Sequence, residues 1–297
     1  MSLLDRLRSL VEDPPPVYAF ELSRSGVAWV VRAAKGNPEL QFRAFPQATL
    51  DVSPVRDNVL DAEGFAAHVK GLFSLNGHRK DAALILPDYC SRIAVLDFES
   101  FPKDKDEQTA LVRFRLKKTV PFDMDAAAVS FHVQKSSAKR VEVLAVTAAY
   151  EIIAKYEAPF RAAGLTPGLC TSSTLAVMDL MPASGMNLLA KRCDNTLTVA
   201  ICDGRQPKLV RCVELAGESI PEAMSVIFPT IAYAEDELKR HPERVLSCGF
   251  GVNSEEFQRA CASELSLNAE PLRSAWGLAQ EHNAGLLGWV QAQEGNA

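Results

Sequence analysis

Seven cysteines and five histidines are the side chains of this chain best suited to nucleophilic or metal chemistry. No two cysteines stand in a CxxC pair, and no cysteine has a histidine at the sequence spacing of a zinc site. The sequence therefore predicts neither a metal centre nor a disulfide framework. Cys248 precedes Gly249 in a turn, where a reactive thiol could lie. Since no histidine is near it in sequence, we interpret Cys248 as a small buried side chain and predict no catalytic residue.

A block of basic residues ends one predicted helix, immediately before a proline and a strand. The block comprises Arg113, Arg115, Lys117 and Lys118, and Phe122 follows it. Because the same helix begins with acidic residues, its charges complement the helix dipole by about 0.3–1 kcal/mol per well-placed charge. That effect accounts for a cation or two but not for the whole block. Two interpretations stay open: a partner-binding surface formed by these residues, or the end of a solvent-exposed helix.

Composition narrows the class of protein. With 297 residues and 47% hydrophobic side chains, the chain is long enough for about two domains with sizeable cores. Its formal net charge of -5 makes nucleic acid an unsuitable partner, since phosphate binding requires clustered lysine and arginine. The singly spread cysteines indicate a reducing compartment, and the N-terminal sequence lacks a signal-peptide pattern. Because no apolar run approaches the roughly 18 residues of a membrane helix, we expect a cytosolic protein.

Two three-stranded meanders are predicted, one in each half of the chain. In residues 17–46, β-rich runs are joined by turns at Arg24–Gly26 and Lys35–Pro38. In residues 187–215, the runs NLLAKRC, TLTVAIC and PKLVRCVEL are joined by turns at Asp194–Asn195 and DGRQ. Each meander precedes further α/β material. A supersecondary unit that occurs twice in this way indicates a duplicated architecture.

The rest of the chain alternates between helix and strand patterns. Apolar spacing predicts helices at Phe65–Phe73, Lys103–Lys118, Tyr150–Ala163, Thr171–Leu180, Pro221–Arg240 and Ser254–Leu265, and strands at AALILP, SRIAVLDFES, Ala127–Gln134, Val141–Ala148 and RVLSCGFGV. We predict an N-terminal amphipathic helix and proline spacer at residues 1–16. A first lobe at residues 17–182 contains an inserted subdomain at about 46–149. A second lobe at residues 183–297 contains a small helical part at about 216–244.

The central segment FPKDKDEQTALVRFRLKKTVPFDMDAAAVSFHV resembles a signature of the type IV pilus assembly protein PilM family. In that family a helix ends in an aromatic and charged run, followed by Ile/Val-Pro-Phe, an acidic turn and a strand. Val120, Pro121, Phe122 and Asp125 match this pattern, whereas Arg115 falls where the family usually carries an acidic residue. VEVLAVTAAYEIIAKYEAPFRAAGLTPG, AYAEDELKRHPERVLSCGFG and GLLGWV resemble later parts of the family in the same order, so the resemblance covers nearly the whole chain.

The resemblance implies an α/β, actin-like (ribonuclease H-like) duplicated fold with an inserted small α+β subdomain, similar to the cell-division protein FtsA. It also implies a cytoplasmic scaffold of type IV pilus assembly at the inner face of the bacterial inner membrane. The partner would be a PilN-like inner-membrane protein, and other pilus platform proteins are further candidates. The short cytosolic tail of the PilN-like protein would bind as an extended peptide in a groove between the first core subdomain and the insertion. The basic block would then face a membrane surface or an acidic partner segment.

The same resemblance locates a nucleotide cleft whose phosphate turns have lost their usual residues. In the first turn, ELSRSGVA, Glu21 stands for an aspartate, Ser23 for a glycine and Ala28 for a lysine. The second turn falls at about residues 190–193 and keeps neither an acid nor a glycine, although Asp194 follows closely. Arg24 is either a partial replacement for the lost lysine or a turn residue in water. The residues assigned to this vestigial cleft are Glu21, Ser23, Arg24, Ser25, Gly26, Ser247, Gly249 and Gly251. The last three form the glycine-rich turn that would face adenosine.

These losses lead us to expect a degenerate site that does not hydrolyse ATP. No cofactor is favoured, although the resemblance allows ATP with Mg²⁺. One alternative is an active actin-like ATPase or a sugar-kinase-like enzyme, which requires intact phosphate turns and a catalytic aspartate. Another is the cytoplasmic domain of the type II secretion platform protein, which shares the fold but normally continues into a transmembrane helix. The chain ends at VQAQEGNA without such a helix, and on that ground we expect the pilus function.

Overall fold

The computed structural model describes residues 15–32, 38–73, 79–136 and 140–295, which form two α/β lobes and a smaller inserted subdomain. The first lobe contains strands β1 (Tyr18–Leu22), β2 (Gly26–Val31), β3 (Gln41–Ala44), β4 (Asp81–Leu86) and β8 (Thr166–Ser172). The second contains β9 (Met186–Cys193), β10 (Thr196–Asp203), β11 (Gln206–Glu214), β12 (Arg244–Cys248) and β13 (Ala269–Pro271). The predicted N-terminal helix and most of the turn predicted at Lys35–Pro38 lie outside the described residues.

The two core sheets have the same topology. The strand order is β3-β2-β1-β4-β8 in the first sheet and β11-β10-β9-β12-β13 in the second. In both, the first three strands form an antiparallel meander. The last two strands join the meander in parallel. One topology is therefore present twice, and the duplication predicted from the meanders is confirmed.

The inserted subdomain is a three-stranded antiparallel sheet with one helix. Its strands are β5 (Arg92–Phe98), β6 (Ala127–Ser136) and β7 (Val141–Ala149), in the order β5-β7-β6. Its helix is α2 (Lys105–Leu116), which follows α1 (Ala62–Lys70) of the first lobe. The predicted boundaries of about 46–149 are too wide, because β4 pairs in parallel with β1 and β8 inside the core sheet. The separate sheet begins only at Arg92.

The remaining helices cover the core sheets. They are α3 (Tyr150–Ala162), α4 (Ser173–Val177), α5 (Ile220–Glu237), α6 (Ser254–Leu265) and α7 (Ala284–Gly295). A short hairpin of β14 (Arg273–Ser274) and β15 (Gly277–Leu278) precedes α7. Among the helices of the described residues, none has both the length and the apolar character needed to span a membrane.

Alternation along β1 explains why both faces of the first sheet are buried. Tyr18 and Phe20 point into a core shared with α1 and α3, while Ala19 points into a second cluster with Leu286 and Trp289 of α7. This period of two is what a pleated strand requires. Helix α7 contacts both lobes, because its Leu287 packs in another cluster with Leu189 and Leu246 of the second lobe.

Strand β8 was absent from the sequence-based assignment, as were the short strands β13, β14 and β15. A helix was predicted at Thr171–Leu180, but the chain forms β8 at Thr166–Ser172, then the short helix α4 and a 3-10 turn at Met178–Leu180. Pro167 and Gly168 disguise the strand in the sequence because both residues are disfavoured in strand interiors. They are tolerated here because β8 is an edge strand, paired only with β4 in the described sheet.

Candidate functional site

The first and second hairpin turns, residues 23–25 and Asp194–Asn195, meet across the cleft between the lobes. The Asp194 carboxylate accepts a hydrogen bond from the backbone N–H of Arg24 at 2.7 Å and another from the Ser25 hydroxyl. The backbone N–H of Asp194 donates to Glu281 Oε1 at 2.7 Å. In an actin-type cleft such turn donors would hold phosphate. In this chain a protein carboxylate takes them.

Glu21, which stands for the aspartate of the first phosphate turn in the resemblance, is bound to other groups of the protein. Its side chain is 3% exposed and accepts backbone N–H bonds from Gly285 at 3.1 Å and Leu286 at 2.7 Å. The Ser173 hydroxyl donates to it as well. Both amides belong to the first turn of α7, where free N–H groups and the helix dipole favour an anion. Glu21 therefore anchors α7 to the first lobe.

A buried ion pair fills the centre of the cleft. Lys191 Nζ of β9 lies 2.8 Å from Asp88 Oδ2, and Asp88 follows β4 in a 3-10 turn. Asp88 also accepts from the backbone N–H and hydroxyl of Thr174 at 2.7 and 2.6 Å, and from the Thr198 hydroxyl at 3.1 Å. Burial raises the pKa of Asp88, but the charge and hydrogen bond of Lys191 outweigh it and the pKa is lowered. Both groups are thus ionised near neutral pH.

The space left between the hairpin turns is small. A gap of about 20 Å³ is lined by Glu21, Arg24, Asp88, Lys191 and Asp194, among others. Such a volume accommodates about one water molecule. A triphosphate with Mg²⁺ does not fit there, and three of the side chains around the gap are carboxylates. The residues at the phosphate position therefore do not suit the cofactor that the fold implies.

The other residues of the first turn are engaged within the protein. Ser23 is 2% exposed, and its hydroxyl bonds with the backbone of Gly26 at 3.1 Å in both directions. The guanidinium of Arg24 contacts Asp51 and lies 3.6 Å from Glu214 Oε1 of the second lobe. Arg24 was predicted to be either a phosphate contact or a turn residue in water. In the structure its guanidinium is instead paired with carboxylates.

The predicted adenosine turn lines a second, larger cavity. Ser247, Gly249 and Gly251 contribute to a cavity of about 760 Å³, together with Phe42 and His282. This volume lies within the usual range of about 300–1,000 Å³ for small-molecule pockets. Gly249 has a φ of +82°, and a Cβ there would lie 1.9 Å from the carbonyl oxygen of Arg192. That glycine is needed for close packing whether or not a ligand binds.

Cys248 does not have the properties of a nucleophile. It is 4% exposed, and burial raises the pKa of its thiol to about 12. A protonated thiol is a poor nucleophile near neutral pH. The fold does, however, bring together a cysteine and a histidine that sequence spacing did not connect: Cys193 Sγ lies 3.9 Å from His282 Nδ1.

The basic block is divided by the fold into engaged and exposed cations. Arg113 donates to the carbonyl oxygens of Met124 and Ala127, which ties α2 to the start of β6. Arg115 lies over the ring of Phe98, 5.3 Å from its centroid. Phe122 is half-buried and packs against the core of the insertion. Lys117 and Lys118 are exposed. A partner could therefore reach the two lysines most readily.

The chain passes between the first lobe and the insertion at two places, just before β5 and just after β7. Arg92 begins β5 opposite Thr147 of β7, and its guanidinium lies 5.4 Å from the centroid of the Tyr89 ring. Tyr150, directly after β7, is 54% exposed. On its other side the insertion contacts the second lobe through an ion pair between Glu142 and Lys208.

Sequence reasoning did not identify Asp88 or Lys191 as cleft residues. The available signal was the position of Lys191 in an apolar strand, NLLAKRC, because a lysine in a buried strand needs a partner. The identity of that partner could not be inferred, since Asp88 lies 103 residues earlier in the chain.

No protein-family model and no curated protein sequence matches this chain. Among solved structures, it is similar to a chain of a PilM-PilN type IV pilus biogenesis complex, with a TM-score of 0.71 and 18% identity over 95% of this chain and 99% of that chain. It is also similar to a Bacteroides thetaiotaomicron protein with an actin-like ATPase fold and unknown function, with a TM-score of 0.53 and 11% identity over 93% and 95% of the two chains. The expected actin-like fold is thereby confirmed.

Proposed function

We propose that this protein is a non-enzymatic, PilM-like scaffold at the cytoplasmic face of the inner membrane, where it binds the short cytosolic tail of a PilN-like membrane protein. The similarity to a chain of a PilM-PilN complex extends over 95% of this chain and supports the assignment. The observation that carries the non-enzymatic part is the Asp194 carboxylate, which takes the Arg24 N–H and Ser25 hydroxyl donors of the first hairpin turn.

Electrostatics in the cleft support a loss of catalysis. An incoming phosphate would have to displace Asp194 from the first hairpin turn and then lie beside the carboxylates of Glu21 and Asp88. Lys191 offers it no free positive charge, because its ammonium group is paired with Asp88 and both side chains are at most 3% exposed. Phosphoryl transfer depends on positioned cations and turn donors around the γ-phosphate. In this cleft the cation Lys191 and the donors of the first hairpin turn are all engaged in bonds within the protein.

We assign the docking of the tail to the junction between the first lobe and the insertion. Tyr150 offers an exposed aromatic ring there, and such rings are frequent anchors in protein interfaces. An extended peptide at this junction would be recognised by side-chain pockets along its length. The exposed Lys117 and Lys118 would meet an acidic segment of the partner or anionic lipid, each contributing about 1 kcal/mol near a charged membrane surface.

The test is calorimetric binding of a synthetic peptide that reproduces the cytosolic tail of the PilN-like protein from the same cell. We expect saturable binding with one peptide per chain, and a loss of about 10-fold or more in Tyr150→Ala. Tyr233→Ala, which truncates a 38% exposed tyrosine on the second lobe, is the matched control and should bind normally. Absence of binding to the wild-type protein would refute the partner. Equal losses in both variants would refute the docking position.

Charge reversal tests the role of the two exposed lysines. We expect Lys117→Glu/Lys118→Glu to weaken recruitment to vesicles that carry anionic lipid or to the peptide, and the loss should diminish at high salt. The control is Lys70→Glu/Lys80→Glu, which makes the same charge change at exposed lysines of the first lobe. If recruitment to vesicles and binding to the peptide are both unchanged, the block is only a helix end.

Co-purification from the native cell tests the identity of the partner. A type II secretion platform protein found in place of a pilus protein would favour the type II secretion alternative.

The cavity of about 760 Å³ favours a second candidate, weak binding of a nucleoside-sized ligand. Its lining includes Ser247, Gly249 and Gly251, the residues expected to face adenosine. Calorimetry with adenosine, ADP and Mg-ATP separates the possibilities. A degenerate site should show no gain in affinity from added phosphates, whereas tight Mg-ATP binding with turnover would overturn the scaffold proposal.

A further inference from the structure

Cys193, Asp194 and His282 form a cluster of potential metal ligands beside the second hairpin turn. Cys193 ends β9, Asp194 occupies the turn, and His282 lies in the segment before α7. Cys193 Sγ is 3.9 Å from both His282 Nδ1 and Asp194 Oδ2. The three candidate ligand atoms all lie within 4.8 Å of one another. Each side chain is partly buried, so the cluster is neither an exposed acidic patch nor a sealed core contact.

The histidine ring is held in an orientation that suits metal binding. The ring of His282 stacks on Phe42 of β3, with centroids 4.8 Å apart and an interplanar angle of 8°. Its Nδ1 faces the Cys193 sulfur, while its Nε2 lies 3.7 Å from Glu281 Oε2. Metal-bound histidines commonly direct their second ring nitrogen towards a carboxylate, which sets the tautomer and strengthens the ligand. His282 has this arrangement, with the Glu281 carboxylate beside its second ring nitrogen.

The carboxylate of the cluster is also fixed by groups outside it. Asp194 is held by the Arg24 N–H and the Ser25 hydroxyl, both from the first lobe. A carboxylate has lone pairs enough to accept these bonds and still to contact a metal ion. Asp194 has a φ of +51° in the turn, and its Oδ2 lies 3.9 Å from Cys193 Sγ.

We propose that these residues bind a zinc ion through Cys193 Sγ, His282 Nδ1 and Asp194 Oδ2. A thiolate with an imidazole and a carboxylate suits zinc and similar transition metals, and disfavours Mg²⁺ or Ca²⁺, which prefer oxygen ligands alone. Three protein ligands leave the fourth tetrahedral position for a water molecule. On binding, a zinc–sulfur bond replaces the S–H bond of Cys193, and the proton passes to solvent.

The ion would join three separate parts of the fold. Cys193 and Asp194 belong to the second lobe, whereas His282 lies just before α7 and stacks on Phe42 of the first lobe. Asp194 also holds the first hairpin turn. Zinc would therefore clamp the two lobes in the closed arrangement. This role is structural and does not depend on the proposed pilus partner.

The test measures zinc binding by the full-length protein in competition with a chromogenic chelator. We expect one zinc ion per chain, and weaker binding in Cys193→Ser and in His282→Gln. Each loss should exceed the roughly 10-fold that removal of an outer partner of a metal ligand can cost. The controls are Cys212→Ser, a partly buried cysteine outside the cluster, and His241→Gln, a histidine that contacts Glu235 at 2.7 Å. Both controls should keep wild-type affinity.

Cobalt(II) provides a readout that stability effects cannot imitate. Titration with cobalt(II) chloride should produce the near-ultraviolet charge-transfer band of a thiolate–cobalt bond together with the visible spectrum of a tetrahedral site. The band should persist in Cys212→Ser and vanish in Cys193→Ser. Wild-type protein that gives no thiolate band would overturn the proposal. So would unchanged zinc affinity in both Cys193→Ser and His282→Gln.

Discussion

Asp88 of the first lobe and Lys191 of the second form an ion pair across the cleft, with Nζ and Oδ2 2.8 Å apart and side chains 3% and 2% exposed. In an actin-type cleft this central region would serve a nucleotide and its metal. In this chain it holds the lobes together. The pair is surrounded by hydrogen bonds from Thr174 and Thr198, so the buried carboxylate is well satisfied.

Removing the cation alone should be strongly destabilising. In Lys191→Met the Asp88 charge stays buried without its partner, and such changes cost about 3–5 kcal/mol. The measurement is the free energy of unfolding in urea at neutral pH. The matched control is Lys155→Met, because Lys155 pairs with Asp57 at 2.6 Å where both side chains are at least 36% exposed. The control should lose far less stability, since exposed pairs contribute little. Similar losses in both variants would contradict the assigned role.

The same pair predicts a specific acid response. Although burial acts to raise it, the pKa of Asp88 is lowered by Lys191, so the pair adds stability above the unfolded-state pKa of about 3.9. That contribution should be lost as pH falls through the lower folded-state pKa. In Lys191→Met, burial without the cation should raise the pKa of Asp88. As pH falls, protonation of Asp88 should then remove the buried charge and reduce the destabilisation of the variant. Urea titrations over pH should therefore find the wild-type advantage shrinking in acid. A constant difference between the two proteins would contradict this.

Gly249 and Gly251 form a natural pair for testing backbone requirements. Both have positive φ, but a Cβ at Gly249 would meet the Arg192 carbonyl oxygen at 1.9 Å, whereas a Cβ at Gly251 would have no described atom within 4 Å apart from its chain neighbours. Gly251→Ala should cost about 1–2 kcal/mol for the left-handed backbone. Gly249→Ala should cost that amount and about 1–3 kcal/mol more for overpacking. Thermal or urea unfolding measures both. Equal losses would contradict the close approach at Gly249.

Glu21 should control the start of α7. Glu21→Gln replaces one acceptor oxygen by an amide NH₂ and removes the charge from the helix N-terminus, so a loss of about 1–3 kcal/mol is expected. Hydrogen exchange should quicken at the amides of Gly285 and Leu286, which bond to Glu21. The control is Glu222→Gln, whose carboxylate bonds to the exposed backbone amides of Ala216 and Gly217. Water can replace that acceptor, so a smaller effect is expected. Unchanged exchange in Glu21→Gln would exclude the anchoring role.

Local patterns were sufficient to predict much of the fold. Helix α6 has the predicted bounds, Ser254–Leu265, and all three strands of the second meander lie where alternation and turn residues indicated. Such elements depend on side-chain periodicity and on turn residues within a few positions of one another. Strand β8 was missed for a corresponding reason, since Pro167 and Gly168 obscure its local pattern and its existence depends on pairing with β4.

The sequence by itself determined the duplicated topology, the helix that carries the basic block and the loss of residues usual in phosphate turns. Only the tertiary structure decided what replaced them. Asp194 meets Arg24 across 170 residues of sequence, and Cys193 meets His282 across 89. No periodicity links such positions, because their contact depends on how the two lobes close on each other. Closure also decides which charges are buried, and burial determines whether a carboxylate binds a ligand or, as Asp88 does with Lys191, holds the protein together.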